Sequence, residues 1–246
     1  MRAVGLAAPP EQGVAGQHPW NLPVITALEQ GVALHPKVTY FVGENGSGKS
    51  TLLEAIAVAA GLNAEGGTSN FAFSTRASHS ELWESIRLTR GARRPRTDFF
   101  LRAESIFTSA SYIDELSASA SPGERDVLAS YGGKSLHEQS HGESFLAVML
   151  NRFGPEGFYV MDEPEAALSA QNCLTCLRRI HELVGEGSQF VIATHSPIML
   201  AYPDATIYEC SQHGLEAIEY EQADLVRVFS GFLADRERIL SARLAD

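Results

Sequence analysis

The chain has 246 residues, with 19 basic against 30 acidic side chains and a formal charge of −11. A length of this order supports one sizeable domain or two small ones, and 44% hydrophobic with 20% charged residues is an ordinary soluble globular balance that needs no disulfide or metal staple. Three cysteines exclude a disulfide scaffold, no uncharged apolar run approaches the length of a spanning helix, and the acidic balance argues against a surface that tracks nucleic acid throughout.

In chain order, residues 1–19 are rich in Gly, Ala and Pro and read as a loose lead-in, too weakly basic and apolar for a signal peptide. Val38–Val42 is the first good strand. A glycine-rich turn follows, then a helix over Ser50–Ala60, rich in Leu, Ala and Ile and ended by Gly61. Residues 61–80 are small and polar, hence loop. Glu81–Thr89 and Asp98–Phe107 read as the two strands of a hairpin whose tip, Arg90–Thr97, is basic. From Arg76 to Arg102 seven arginines stand against Glu81, Glu84 and Asp98, a local +4 that leaves the rest of the chain at −15. A solvated tip and a contact for phosphate, nucleic acid or an acidic partner are both compatible with it.

Residues 112–140 predict two short helices around a Ser/Ala/Gly stretch. Gly157–Met161 and Gln189–Ala193 are continuous apolar runs, as expected of strands covered on both faces in a parallel sheet, with a helix over Glu165–Val184 between them. Ala205–Cys210 and Leu215–Tyr220 predict a hairpin, and two amphipathic segments, 222–233 and 235–244, finish the chain. The class is α/β: a mostly parallel sheet flanked by helices, with an antiparallel portion. Cys173 and Cys176 form a C-x-x-C inside the predicted 165–184 helix. No second pair completes a zinc site, so they read as helix thiols.

Gly43, Glu44, Asn45, Gly46, Ser47, Gly48, Lys49 and Ser50 match G-x-x-x-x-G-K-S/T, placed between a strand and a helix as that phosphate loop requires, with Thr51 next in line. The glycines let backbone N–H groups turn onto phosphate oxygens, and the helix N-terminus adds partial positive charge. Lys49 is placed for the β- and γ-phosphates and Ser50 for Mg²⁺. Asp162 and Glu163 end the apolar strand that begins at Gly157, at the end of the strand where α/β sheets bind ligands. Asp162 suits the Mg²⁺ shell. Glu163 is placed to orient or deprotonate an attacking water.

The arrangement resembles the ATP-binding cassette (ABC) ATPase superfamily, over roughly residues 38–200. DEPEAALS (Asp162–Ser169) is similar to its Walker B and D-loop, with Ser169 replacing the usual Asp. Ser140, Gly142 and Glu143 stand where the family carries its LSGGQ signature, Glu143 lying 19 residues before Asp162, while Gln139 and His141 depart from that pattern. His195, in ATHSP, stands one strand later, as the switch histidine does. The SHGE run also reads as a helix capping box. The resemblance implies a P-loop NTPase fold with a single domain over 1–246: a nucleotide-binding core at 38–110 and 150–220, a short helical subdomain at 111–149 carrying the signature, and C-terminal helices at 221–246. It implies ATP and Mg²⁺ as ligands, catalytic roles for Glu163, His195 and Lys49, and a head-to-tail homodimer in which Ser140–Glu143 of one subunit completes the ATP site of the other. No Gln stands at the Q-loop position; Glu104 is the candidate there, as a third metal ligand beside Ser50 and Asp162. Trp20 either stacks on adenine or packs in the core.

Only 36 residues run from Glu104 to Ser140, short for the subdomain that grips a membrane partner in transporters. The motifs are more similar to small stand-alone bacterial AAA/ABC-type ATPases, relatives of DNA-repair, overcoming-lysogenisation and chromosome-maintenance types. The expected function is Mg²⁺-dependent ATP hydrolysis in a soluble, cytoplasmic role in DNA maintenance or defence. An ATP-binding transporter subunit and a nucleotide-gated module that controls a partner protein are the alternatives.

Overall fold

The computed structural model describes residues 1–8, 16–64, 66–67, 82–103, 111, 117, 131 and 133–244. Glu104, Arg76 and most of the expected 112–140 helices lie outside the described residues.

In chain order the elements are β1 (Ala3–Leu6), α1 (Pro23–Thr26), β2 (Val32–Ala33), β3 (Val38–Gly43), α2 (Lys49–Ala60), α3 (Leu82–Ser85), β4 (Ile86–Thr89), β5 (Thr97–Arg102), α4 (His141–Arg152), β6 (Gly157–Asp162), α5 (Ala170–Gly185), β7 (Gln189–Ala193), α6 (Pro197–Leu200), β8 (Ala205–Ser211), β9 (Gly214–Ile218), α7 (Asp224–Ala234) and α8 (Arg236–Leu244). They build a six-stranded sheet, order β5-β6-β7-β3-β8-β9, and a three-stranded one, order β2-β1-β4. The large sheet is parallel from β5 to β8, and β9 returns antiparallel on β8 as the expected hairpin. The small sheet is antiparallel.

The continuous apolar strands are buried on both faces, and alternate residues serve two cores. Tyr40, Phe99, Leu101, Tyr159, Met161, Phe190 and Ile192 face one side, against Phe145 and Met149 of α4 and Cys173, Cys176 and Ile180 of α5. Phe41, Phe100, Phe158, Val160 and Val191 face the other, against Leu52, Leu53 and Ile56 of α2 and the small sheet. Each such side chain contributes roughly 1.5–3 kcal/mol by burial. That rigidity holds the carboxyl ends of the strands in fixed relation.

Three sequence expectations are corrected. The loose lead-in contains β1, the central strand of the small sheet. The basic hairpin does not exist: β4 pairs with β1 and β5 with β6, so Arg90–Arg96 is a connection between two sheets. The burial patterns show why. In β4 Ile86 is buried and Arg87 exposed, as in a strand covered on one face, whereas Phe99, Phe100 and Leu101 are all buried and require cover on both. Finally, the helix expected from Glu165 begins at Ala170, capped by the Ser169 hydroxyl accepting from Asn172 N–H, because Pro164–Ala167 forms a separate 3₁₀ turn. Among the described residues no helix is long and apolar enough to cross a membrane.

Candidate functional site

Parallel register aligns the strand ends. Arg102 pairs with Asp162, Asp162 with Ala193, and Phe41 with Ala193, so the turns leaving β3, β5, β6 and β7 converge on one edge of the sheet. Strand β7 stands between the phosphate-loop strand and the carboxylate strand.

The phosphate loop enters α2 through Gly48, whose φ of +92° is left-handed; a Cβ there would also sit 2.6 Å from Val24 Cγ1. Lys49 is 4% exposed, and its ammonium donates to the Gly43 carbonyl at 2.9 Å and the Glu44 carbonyl at 2.8 Å. Burial lowers its pKa, while the nearby carboxylates of Glu163, Asp162 and Glu165 oppose that shift. Asn45, Gly46, Gly48, Lys49, Ser50, Thr51 and Glu163 line one pocket, with His18 and Leu22 at its side. Trp20 is partly buried and packs on the core beneath the small sheet.

Asp162 is buried, and Ser50 Oγ donates to its Oδ1 at 3.1 Å. This pair fits Mg²⁺, a hard ion that takes few protein oxygens and completes its shell with phosphates and water. Among the described residues no cluster of three or more His, Cys, Asp or Glu could hold a metal unaided. Glu163 follows in left-handed backbone (φ +50°), a strained conformation for a non-glycine residue, pinned by its N–H donating to Ala193 O at 3.0 Å. The turn lifts its carboxylate out of the sheet to 40% exposure, with Oε1 3.5 Å from His195 Nε2. That imidazole nitrogen is buried without a hydrogen-bond partner among the described residues.

Sequence reasoning missed two supports. Glu165 accepts from Thr194 Oγ1 at 2.8 Å and from the His195 backbone N–H, tying the turn after β6 to the turn after β7. Its signal was present as the third acid of DEPE. Arg102 reaches Asp162 and Glu54, and had no motif to announce it.

Ser140 caps α4 as a complete capping box. Its N–H and Oγ donate to Glu143 Oε2 at 2.9 and 2.7 Å, and Glu143 N–H donates back to Ser140 Oγ at 3.4 Å. These bonds hold the exposed Glu143 carboxyl below the usual range. Gly142 lies against the turn after Glu163: a Cβ there would meet Ala167 O at 2.8 Å. Cys173 and Cys176 are buried thiols of α5, as the helix-thiol reading expected.

Residues 27–105 match the family model described as an AAA domain. No curated protein matches the chain. Among solved structures it is similar to the SMC head domain from Thermotoga maritima, at 19% identity over 77% of this chain and 93% of that one, with a TM-score of 0.42. It is also similar to the ADP conformation of an ATP-binding cassette of an ABC transporter, at 19% identity over 88% and 91% of the two chains, with a TM-score of 0.44. A strand stands between the phosphate-loop strand and the carboxylate strand in a mostly parallel sheet flanked by helices, so the chain has an α/β fold of the P-loop kind.

Proposed function

We propose that the chain hydrolyses ATP in a Mg²⁺-dependent, head-to-tail homodimer. The observation that carries this reading is Glu163, a carboxylate lining the phosphate-loop pocket, beside a His195 nitrogen with no hydrogen-bond partner among the described residues. Loop N–H groups and the start of α2 hold the phosphates, and Lys49 exchanges its two carbonyl acceptors for β- and γ-phosphate oxygens. Ser50 and Asp162 would hold Mg²⁺, which when bound neutralises charge on the phosphate oxygens. Glu163 accepts a proton from water as its oxygen bonds to the γ-phosphorus. The bond from the γ-phosphorus to the bridging oxygen breaks, ADP leaves with the electron pair, and the proton passes to solvent. His195 Nε2 meets the γ-phosphate. The partner's Ser140–Glu143 segment, a capped helix start, supplies the remaining donors.

A soluble role in DNA maintenance or defence is supported by the motif resemblance and by arginines just before β1, on β4 and in the connection between the sheets. Arg2, Arg87, Arg90, Arg93 and Arg94 are exposed and have no ion-pair partner among the described residues, while Arg96 pairs with Glu156. Backbone pairing of Arg2 with Thr89 brings the first of these to the others, a surface suited to a polyanionic or acidic partner. The test is steady-state ATPase with gel filtration, with and without ATP. Wild type turns over and Glu163→Gln accumulates as an ATP-bound dimer; a Glu163→Gln protein with wild-type turnover overturns the assignment.

A further inference from the structure

Arg102, at the last position of β5, sits between the two halves of the phosphate site. Its Nη1 donates to Glu54 Oε2 at 3.0 Å and lies 3.4 Å from Ala64 O, while its Nε stands 3.6 Å from Asp162 Oδ2. The guanidinium lies 5.6 Å from the centre of the Phe100 ring and is only 19% exposed. Its Nε–H is buried with no hydrogen-bond acceptor at bonding distance among the described residues, and Asp162 Oδ2 is its ion-pair partner.

Two features of this arrangement concern Ser50 and Asp162. Glu54 stands four residues after Ser50, hence on the same face of α2 one turn further on. Asp162 divides its oxygens: Oδ1 faces Ser50, Oδ2 faces Arg102. The guanidinium therefore fastens the helix that carries Ser50 to the strand that carries Asp162. It also occupies the carboxylate oxygen that points away from Ser50. Removing it takes away the guanidinium that contacts both Glu54 and Asp162, two little-exposed carboxylates, so their mutual repulsion then acts against the orientation of Asp162 toward Ser50. Only a planar fork spans two carboxylates in this way; a lysine ammonium offers a single centre.

We propose that Arg102 is a positioning residue for the divalent-cation half of the site, orienting Asp162 toward Ser50 through an Arg102–Glu54 clamp. The inference rests on the reading of Ser50 and Asp162 as metal ligands. Partners that orient a ligand from outside the coordination shell typically change metal affinity 10–100-fold when removed.

The test measures Mn²⁺ binding by electron paramagnetic resonance on the full chain with a non-hydrolysable ATP analogue, and analogue binding alone in EDTA. Arg102→Met is expected to weaken Mn²⁺ binding about 10–100-fold while leaving metal-free analogue affinity within about twofold of wild type. Arg102→Lys is expected to recover only part of the loss. Unchanged Mn²⁺ affinity in folded Arg102→Met overturns the proposal, as does an equal loss of analogue affinity in EDTA, which would mark a general packing defect. Should Arg102→Met fail to fold, Glu54→Gln decides, with weaker Mn²⁺ binding supporting the clamp and wild-type binding refuting it. Wild type that binds the analogue but shows no Mn²⁺ signal would instead overturn the metal reading of Ser50 and Asp162.

Discussion

Gly142→Ala tests the contact that joins the start of α4 to the turn after β6. The added Cβ would lie 2.8 Å from Ala167 O, whereas ordinary contact begins near 3.4 Å, so backbone must yield by about 0.6 Å. The neighbour is a main-chain carbonyl between Pro164 and Ser169, not the end of a flexible side chain. Overpacking of this kind costs about 1–3 kcal/mol. Alanine gains at most about 1 kcal/mol over glycine in a helix, and less in the first turn. The balance is a loss of about 1–2 kcal/mol, or several degrees in Tm at about 2–4 °C per kcal/mol for a chain of this size. Urea unfolding followed by circular dichroism measures it. Gly185→Ala is the control: it ends α5 with nothing within 4 Å of the new Cβ, so it keeps the propensity gain without the clash. A Gly142→Ala protein as stable as Gly185→Ala would refute the close approach.

Other expectations follow from single contacts. Glu163→Gln is expected to cut turnover roughly 10²–10⁴-fold by removing the proton acceptor, read by phosphate release. Phe153, stacked on Tyr159 with ring centroids 4.1 Å apart and 2% exposed, should cost about 3–5 kcal/mol when truncated to Ala, read by the urea midpoint. Burial raises the Cys210 thiol to about 12, and Cys176 is raised further. As pH climbs from about 9 toward 12, the unfolded chain releases thiol protons that the folded chain keeps, so stability should fall across that window and be unaffected by these groups below it. A Cys176→Ala, Cys210→Ala double variant should flatten that slope, measured by unfolding at pH 8 and pH 10; an unaltered slope would assign it elsewhere. Replacing Arg90, Arg93 and Arg94 by Gln should lower the salt at which the chain leaves a heparin column, and unchanged elution would remove these residues from a polyanion contact.

The parts of the fold that the sequence announced are those where one local pattern has one structural meaning. Val38–Val42, Gly157–Met161 and Gln189–Ala193 are apolar at nearly every position, with Thr39 and Gln189 buried among them, the pattern of a strand covered on both faces, and all three lie side by side in the parallel sheet. The phosphate loop was legible because glycine spacing, lysine and the following helix are all dictated by the geometry of backbone donors. Pairing partners were not legible in the same way. Asp98–Phe107 follows Glu81–Thr89 closely enough to suggest a hairpin, yet the partner of β4 is β1, more than 80 residues earlier. Ala3–Leu6 is too short to mark itself as the centre of a sheet. The site shows the same division: Lys49, Ser50, Asp162, Glu163 and His195 come with spacing signals, and the structure brings them to one sheet edge. Glu165 and Arg102 act through contacts between distant strand ends, which no local spacing encodes.

The central claim, that one subunit's signature completes the other's phosphate loop, is tested most directly by mixing two inactive variants. Lys49→Ala removes the loop's ammonium and Ser140→Arg blocks the signature, so each homodimer lacks both working sites. A mixed dimer regenerates one intact site, from the loop of the Ser140→Arg subunit and the signature of the Lys49→Ala subunit. In an equal mixture half the dimers are mixed and each has one of two sites, so activity should return to about a quarter of wild type. Recovery near that level is the predicted result. No recovery from two folded, ATP-exposed variants that exchange subunits would contradict the head-to-tail account.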